Sequence, residues 1–180
     1  AAQKIVDPVA ANSAMGLMYQ EMAYSEEANK NYKKSIEYCL KSNELFSGIT
    51  ANKNTLLADN YYLLGRNYFR LQDMDKAKSF YEKAIELVEN TNNSYLLGKI
   101  YSSLANVYIN KEELKKAKDY LSKAEKISEN SNYLELKRLI YFTSQSYYMA
   151  VKSMDSLRLA TTKRDSVLEK IQAKKTSVIN

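Results

Sequence analysis

Residues 61–68 read Tyr-Tyr-Leu-Leu-Gly-Arg-Asn-Tyr, and forty residues later 101–108 read Tyr-Ser-Ser-Leu-Ala-Asn-Val-Tyr. Residues 141–148, forty further on, keep both bounding tyrosines. Two interlocked series at one period, Tyr61/Tyr101/Tyr141 and Tyr68/Tyr108/Tyr148, mark an internal repeat, and a period between 20 and 50 residues decides a fold before any single element does. The small residues keep the same step. Gly65 and Ala105 follow Leu64 and Leu104, Ala77 and Ala117 come twelve residues later, and Ala84 and Ala124 seven after those. Small side chains recur where helices must approach closely.

The rest of the chain agrees with a helical repeat. Its 180 residues contain 4 Gly and 1 Pro, too few breakers for the many reversals of a sandwich or barrel. Eight helices are expected: Asp7 before Pro8 caps the first, Ser47-Gly48 closes the second, and breaks fall at Asn90 to Ser94 and at Glu129 to Asn132. An earlier unit reads Met15, Gly16, Tyr19, Ala28, Tyr32 and Ser35, which places it 49 residues before the next, counted from Gly16 to Gly65. The fourth unit, with Ser144, Gln145, Leu157, Thr161 and Arg164, keeps the tyrosines and loses every small residue. Terminal units of a stacked array are expected to be atypical, because one face has no neighbour.

Composition removes most chemistry. With no His and one Cys, the chain has no histidine base, no Ser/His or Cys/His dyad, no His-containing zinc site and no internal disulfide, so no catalytic residue, metal or cofactor is expected. Cys39 falls within the stripe Ala28, Tyr32, Ser35, Ile36, Cys39 and Leu40 and reads as a small buried hydrophobe. Acidic residues open the second helix of each pair, namely Glu26 and Glu27, Asp73 and Asp75, Glu112 and Glu113, and Asp155; their recurrence fits the positive end of the helix dipole better than acid/base work. The net charge of +6 comes from 27 Lys+Arg against 21 Asp+Glu. In the densest stretch Glu112 precedes Lys116 and Asp119 precedes Lys123 by four residues, which reads as a solvated helix face and argues against nucleic acid as partner. No run of apolar residues is long enough for a membrane span. Beginning at Ala1 and stopping at Asn180 within a charged helical pattern, the sequence reads as a piece of something longer.

The pattern Tyr61-x-x-Leu64-Gly65-x-x-Tyr68 followed by Ala77-x-x-x-Tyr81-x-x-Ala84 resembles the tetratricopeptide repeat, with Tyr for the opening Trp and no closing proline. The resemblance implies an all-α fold, a right-handed superhelical α-α solenoid of about four helix pairs. It is expected as one domain over 1–180 with units near 9–50, 53–91, 95–130 and 133–175. It also implies a non-enzymatic interaction domain whose first helices line a concave groove for a protein or peptide segment. Carried over by spacing, the groove residues are Tyr62, Arg66, Phe69 and Arg70 in the second unit, Ser102, Asn106 and Asn110 in the third, and Phe142 and Ser146 in the fourth. Arg66 and Arg70, four apart on one face, could grip a carboxylate or an acidic side chain together, form a salt bridge with an acidic neighbour such as Asp59 or Asp73, or simply lie exposed. The family's clamp for a C-terminal carboxylate pairs Lys with Asn; Asn106 fits one place but Ser102 stands where a Lys belongs, so that activity is not expected.

The last helix, about Met154 to Lys175, carries Leu157, Ala160, Val167, Leu168 and Ile171 and outlasts the repeat. An alternative function follows from it: a structural spacer that oligomerises through this helix. The 40-residue period and the run Leu159 to Lys170, with Arg164-Asp165-Ser166, resemble the sensor regions of large Bacteroidetes-type transcriptional regulators and hybrid kinases. That resemblance implies a signalling setting and a periplasmic location, with the cytoplasm as the alternative.

Overall fold

A computed structural model describes residues 8–49, 51–129 and 131–179, with side chains to residue 177. The expected cap Asp7, and Asn130 within the expected break at Glu129 to Asn132, lie outside the described residues. Among those described, the chain is all-helical, with eight α-helices and no strand. It divides into two compact units, Ala1–Thr91 and Asn92–Asn180.

The first unit holds α1 (Pro8–Ala28), α2 (Tyr32–Ser47), α3 (Lys53–Arg70) and α4 (Met74–Val88), with α1 against α2, α2 against α3 and α3 against α4. Its core collects Ala23, Cys39, Phe46, Leu63, Leu64, Tyr81 and Val88, each buried. Burial also pushes the Cys39 thiol up to about 12, with the Asp59 charge adding to the shift, as befits a packing residue and not a nucleophile.

The second unit holds α5 (Ser94–Asn110), α6 (Leu114–Glu129), α7 (Leu134–Ala150) and α8 (Met154–Ile179). Here α5 and α6 form one pair, α7 and α8 another, and α7 packs on both α5 and α6. Ile100, Leu104, Val107, Leu121, Leu136 and Ile140 are buried in it.

One local device builds every helix pair. The turn between its two helices holds a residue in the left-handed region: Lys30 (φ 64°), Gln72 (φ 63°), Glu112 (φ 59°) and Lys152 (φ 56°). The next N–H reaches back over the turn to a carbonyl of the first helix, as Asn31 to Glu26 (2.8 Å), Asp73 to Tyr68 (2.9 Å), Glu113 to Tyr108 (2.9 Å) and Ser153 to Tyr148 (3.0 Å). This is the Schellman closure of a helix end, here made without glycine.

These turns correct the register expected for the first unit. Gly65 and Ala105 lie seven residues before the left-handed residue, and in the first unit that place belongs to Ala23. Ser35 and Ser42 then stand where later units have Ala77/Ala117 and Ala84/Ala124, and both hydroxyls donate to α1 carbonyls, Ser35 to Ala23 and Ser42 to Gly16 (2.7 Å each). The step from the first unit to the second is 42 residues, from Ala23 to Gly65, and not 49. A slip of seven residues is nearly two helical turns, so Gly16 sits on the same face as Ala23 and imitates it. Gly16 meets Phe46 instead; a Cβ there would lie 2.5 Å from that ring.

Other expectations shift with the register. Ala28 ends α1 and is exposed, and Leu40 is 51% exposed instead of lying in the buried stripe. Glu26 and Glu27 close α1 instead of opening α2. Asp73 does cap α4, its carboxylate accepting from the Lys76 N–H (3.1 Å), and Asp75 and Asp155 fall in first turns. Lys116 pairs with Glu113 (2.6 Å), and Lys123 lies over the rings of Tyr101 and Tyr120 (5.3 Å each), so neither forms the expected pair at four residues.

Candidate functional site

In the first three units the opening tyrosine is a packing residue whose aromatic partner recurs. Tyr19 with Tyr38, Tyr61 with Phe80 and Tyr101 with Tyr120 put ring centroids 6.0, 6.1 and 6.0 Å apart. Lys41, Lys83 and Lys123 lie over those pairs in turn. A lysine over an aromatic face gains from the ring quadrupole while its ammonium stays wet. Part of the excess positive charge is thereby bound to the repeat.

In the first unit, side chains of α1 reach the face of α3 that was expected to receive a partner. The Tyr24 hydroxyl donates to Asp59 (2.7 Å), and Gln20 donates to Asn60 (2.9 Å) and Asp59 (3.3 Å). Burial and the adjacent Asp59 carboxylate hold the Tyr24 phenol protonated far above its usual range. Arg66 donates to Glu27 (2.6 Å) across the two helices while lying over the Tyr62 ring. This fulfils the salt-bridge alternative, with Glu27 as partner in place of Asp59 or Asp73, and a guanidinium so held is not half of a free Arg66/Arg70 grip. Tyr62 is only 3% exposed and tilts against Tyr81, which corrects its expected place on an open surface. Phe69 is half-buried, and Arg70 is exposed with no ion pair among the described residues.

In the second unit, Ser102 is fully buried and shares a hydrogen bond with Thr143 of α7 (2.8 Å), so it too is a packing residue and not a groove residue. Asn106 donates to the same Thr143 hydroxyl (2.9 Å), and Asn110 donates back to the Asn106 carbonyl (2.8 Å). Thr143 is thus the joint between α5 and α7. On α7, Phe142 and Met149 lie 57% and 65% exposed, seven residues apart and so on one face, with Ser146 between them bonded to the Phe142 carbonyl (3.3 Å). Phe142, Ser146 and Met149 hold the repeat positions of Ser102, Asn106 and Ile109. The face that α5 uses to receive α7 therefore recurs on α7 as an exposed apolar strip.

Sequence reasoning missed how the fourth unit compensates for its lost small residues. Gln145 stands where Ala105 stands one repeat earlier; it donates to Thr161 (2.7 Å) and accepts from Arg164 (2.9 Å). A polar clasp replaces close apposition, and the signal was the simultaneous change at all three positions. Among the described residues no cluster of His, Cys, Asp and Glu could hold a metal, and no helix is long and apolar enough to cross a membrane.

The family model for the tetratricopeptide repeat matches residues 13–90 and, overlapping, 56–130. No curated protein matches the sequence. Among solved structures, the chain resembles aspartyl phosphate phosphatase F from Bacillus subtilis, with a TM-score of 0.79 at 20% identity over 93% of this chain. It spans 43% of that protein's length. BtubC (BKLC) from P. vanneervenii gives a TM-score of 0.70 at 16% identity, covering 91% of this chain and 73% of that one. A putative kinesin light chain from Podosopora anserina, described by its nearly identical TPR-like repeats, gives 0.60 at 14% identity, covering 87% and 76%.

Proposed function

Because the chain belongs to the tetratricopeptide repeat family, we propose that it is a non-enzymatic interaction module that takes a helical peptide or protein segment on α7. The contact strip is Phe142, Ser146 and Met149, bordered by Asn106 and Asn110 of α5. One observation carries this reading: α5 already binds a helix, α7, through the positions that α7 repeats with large apolar side chains left exposed. Exposed Phe and Met on one face, rimmed by amide and hydroxyl groups, suit the helix-in-groove mode of recognition. Arg70 remains an outlying candidate contact, whereas Arg66 serves the α1–α3 joint. The regulatory setting belongs to the proposal as well and rests on the 40-residue period and the Arg164-Asp165-Ser166 run.

The test is a displayed library of amphipathic helical peptides selected on the intact protein. Selected peptides should lose about tenfold or more in affinity on Phe142→Asp or Met149→Asp, since each change removes an apolar anchor of about 1.5–3 kcal/mol. Both residues are largely exposed, so melting temperature should hold. Undiminished binding by both variants would exclude this face.

A further inference from the structure

A second site of different chemistry lies elsewhere in the second unit. The last turns of α8, the first turn of α7 and Tyr95 near the start of α5 enclose an open cavity of about 570 Å³. Tyr95, Tyr133, Leu134 and Ile171 give it an apolar lining, with Tyr95 and Tyr133 set edge to face at 4.9 Å. Lys174 and Lys175 of α8 complete it, and Lys99 lies over the Tyr95 ring (5.3 Å). The single acidic residue of the lining, Glu135, already accepts from Arg138 (2.8 Å). Lys174 and Lys175 form no ion pair among the described residues.

We propose that this cavity binds a small amphiphilic anion, with an apolar or aromatic body between Tyr95, Tyr133 and Ile171 and an acidic head at Lys174 and Lys175. The charge selects the class. A cation would face the ammonium groups of Lys174 and Lys175, and a neutral apolar molecule would leave both lysines unused. The volume falls within the range of about 300–1,000 Å³ that suits a small ligand. The site shares no residue with the α7 strip, so the two readings stand or fall separately.

The probes are 1-anilinonaphthalene-8-sulfonate and its uncharged analogue N-phenyl-1-naphthylamine, titrated by fluorescence into the full chain. The sulfonate should bind saturably at one site per chain and be displaced by octanoate but not by acetate. Lys174→Gln with Lys175→Gln should weaken it about five- to tenfold while leaving the neutral probe's affinity unchanged, as two exposed charge contacts would. Tyr133→Ala and Ile171→Glu should each abolish the saturable phase. Tyr133 is 53% exposed, so its variant keeps the fold, and a thermal melt followed by circular dichroism verifies this. Phe142→Asp should leave the sulfonate titration unchanged. Undiminished sulfonate binding in Tyr133→Ala, or equal loss of both probes in the lysine variant, overturns the proposal.

Discussion

Gly65 and Tyr81 are fitted to each other. A Cβ at Gly65 would lie 2.5 Å from the Tyr81 ring, whereas one repeat later the same two places hold Ala105 and Leu121, both fully buried. Large against absent, and medium against small, fill one space in two ways. Gly65→Ala alone should destabilise the fold by about 1–3 kcal/mol through overpacking, and adding Tyr81→Leu should restore part of that loss. Denaturant melts of the three variants check this, and purely additive effects would mean that the residues do not share the space. The small residues of this repeat were legible in the sequence because they return at a fixed step. Their partners were not: spacing shows that a position is small without showing what presses on it. Gly16 shows the cost of that ignorance, a small residue on the right face yet two turns out of register.

At the scale of elements, helix number and the pairing of helices followed from punctuation and period, whereas the side chains exposed after packing did not. Tyr62 and Ser102 occupy groove-lining positions by spacing, yet neighbouring structure buries them. A periodic pattern gives a residue's bearing on its own helix; what another helix covers depends on contacts distant in sequence. The turns make a sharper case. Four left-handed residues occur at repeat-related positions, and none is glycine, although a side chain in that region costs about 1 kcal/mol. Gln72→Gly or Glu112→Gly should therefore raise stability by about 0.5–1 kcal/mol each, read as an upward shift of the denaturation midpoint with an unchanged slope. A fall in stability would show that these side chains contribute more than they strain.

At the scale of the molecule, each unit carries a core of its own. Leu96, Ile100, Leu104, Leu121, Leu136 and Ile140 lie buried on three helices that contact one another within the second unit. Residues 92–180 produced alone should show the helical circular dichroism of the parent chain per residue and melt cooperatively; a coil spectrum would refute this. The net charge of +6 was open to several readings in the sequence. The structure gives part of the lysine a structural task, since Lys41, Lys83 and Lys123 lie over successive aromatic pairs and Lys76 and Lys116 over Tyr68 and Tyr108.

Those aromatic pairs also set how the protein meets light. The chain has 16 Tyr and no Trp, so its near-ultraviolet absorption is phenolic. In the second unit Tyr108 and Tyr120 stack at 5.4 Å with planes 8° apart, close enough for two like chromophores to couple; the matching stack in the first unit joins Tyr68 to Phe80, a mismatched pair. Other tyrosine pairs lie within coupling distance in both units, Tyr19 with Tyr38 and Tyr62 with Tyr81 in the first and Tyr95 with Tyr133 and Tyr147 with Tyr148 in the second. Unlabelled protein thus carries a built-in dichroic reporter of its aromatic packing, read without dye or isotope.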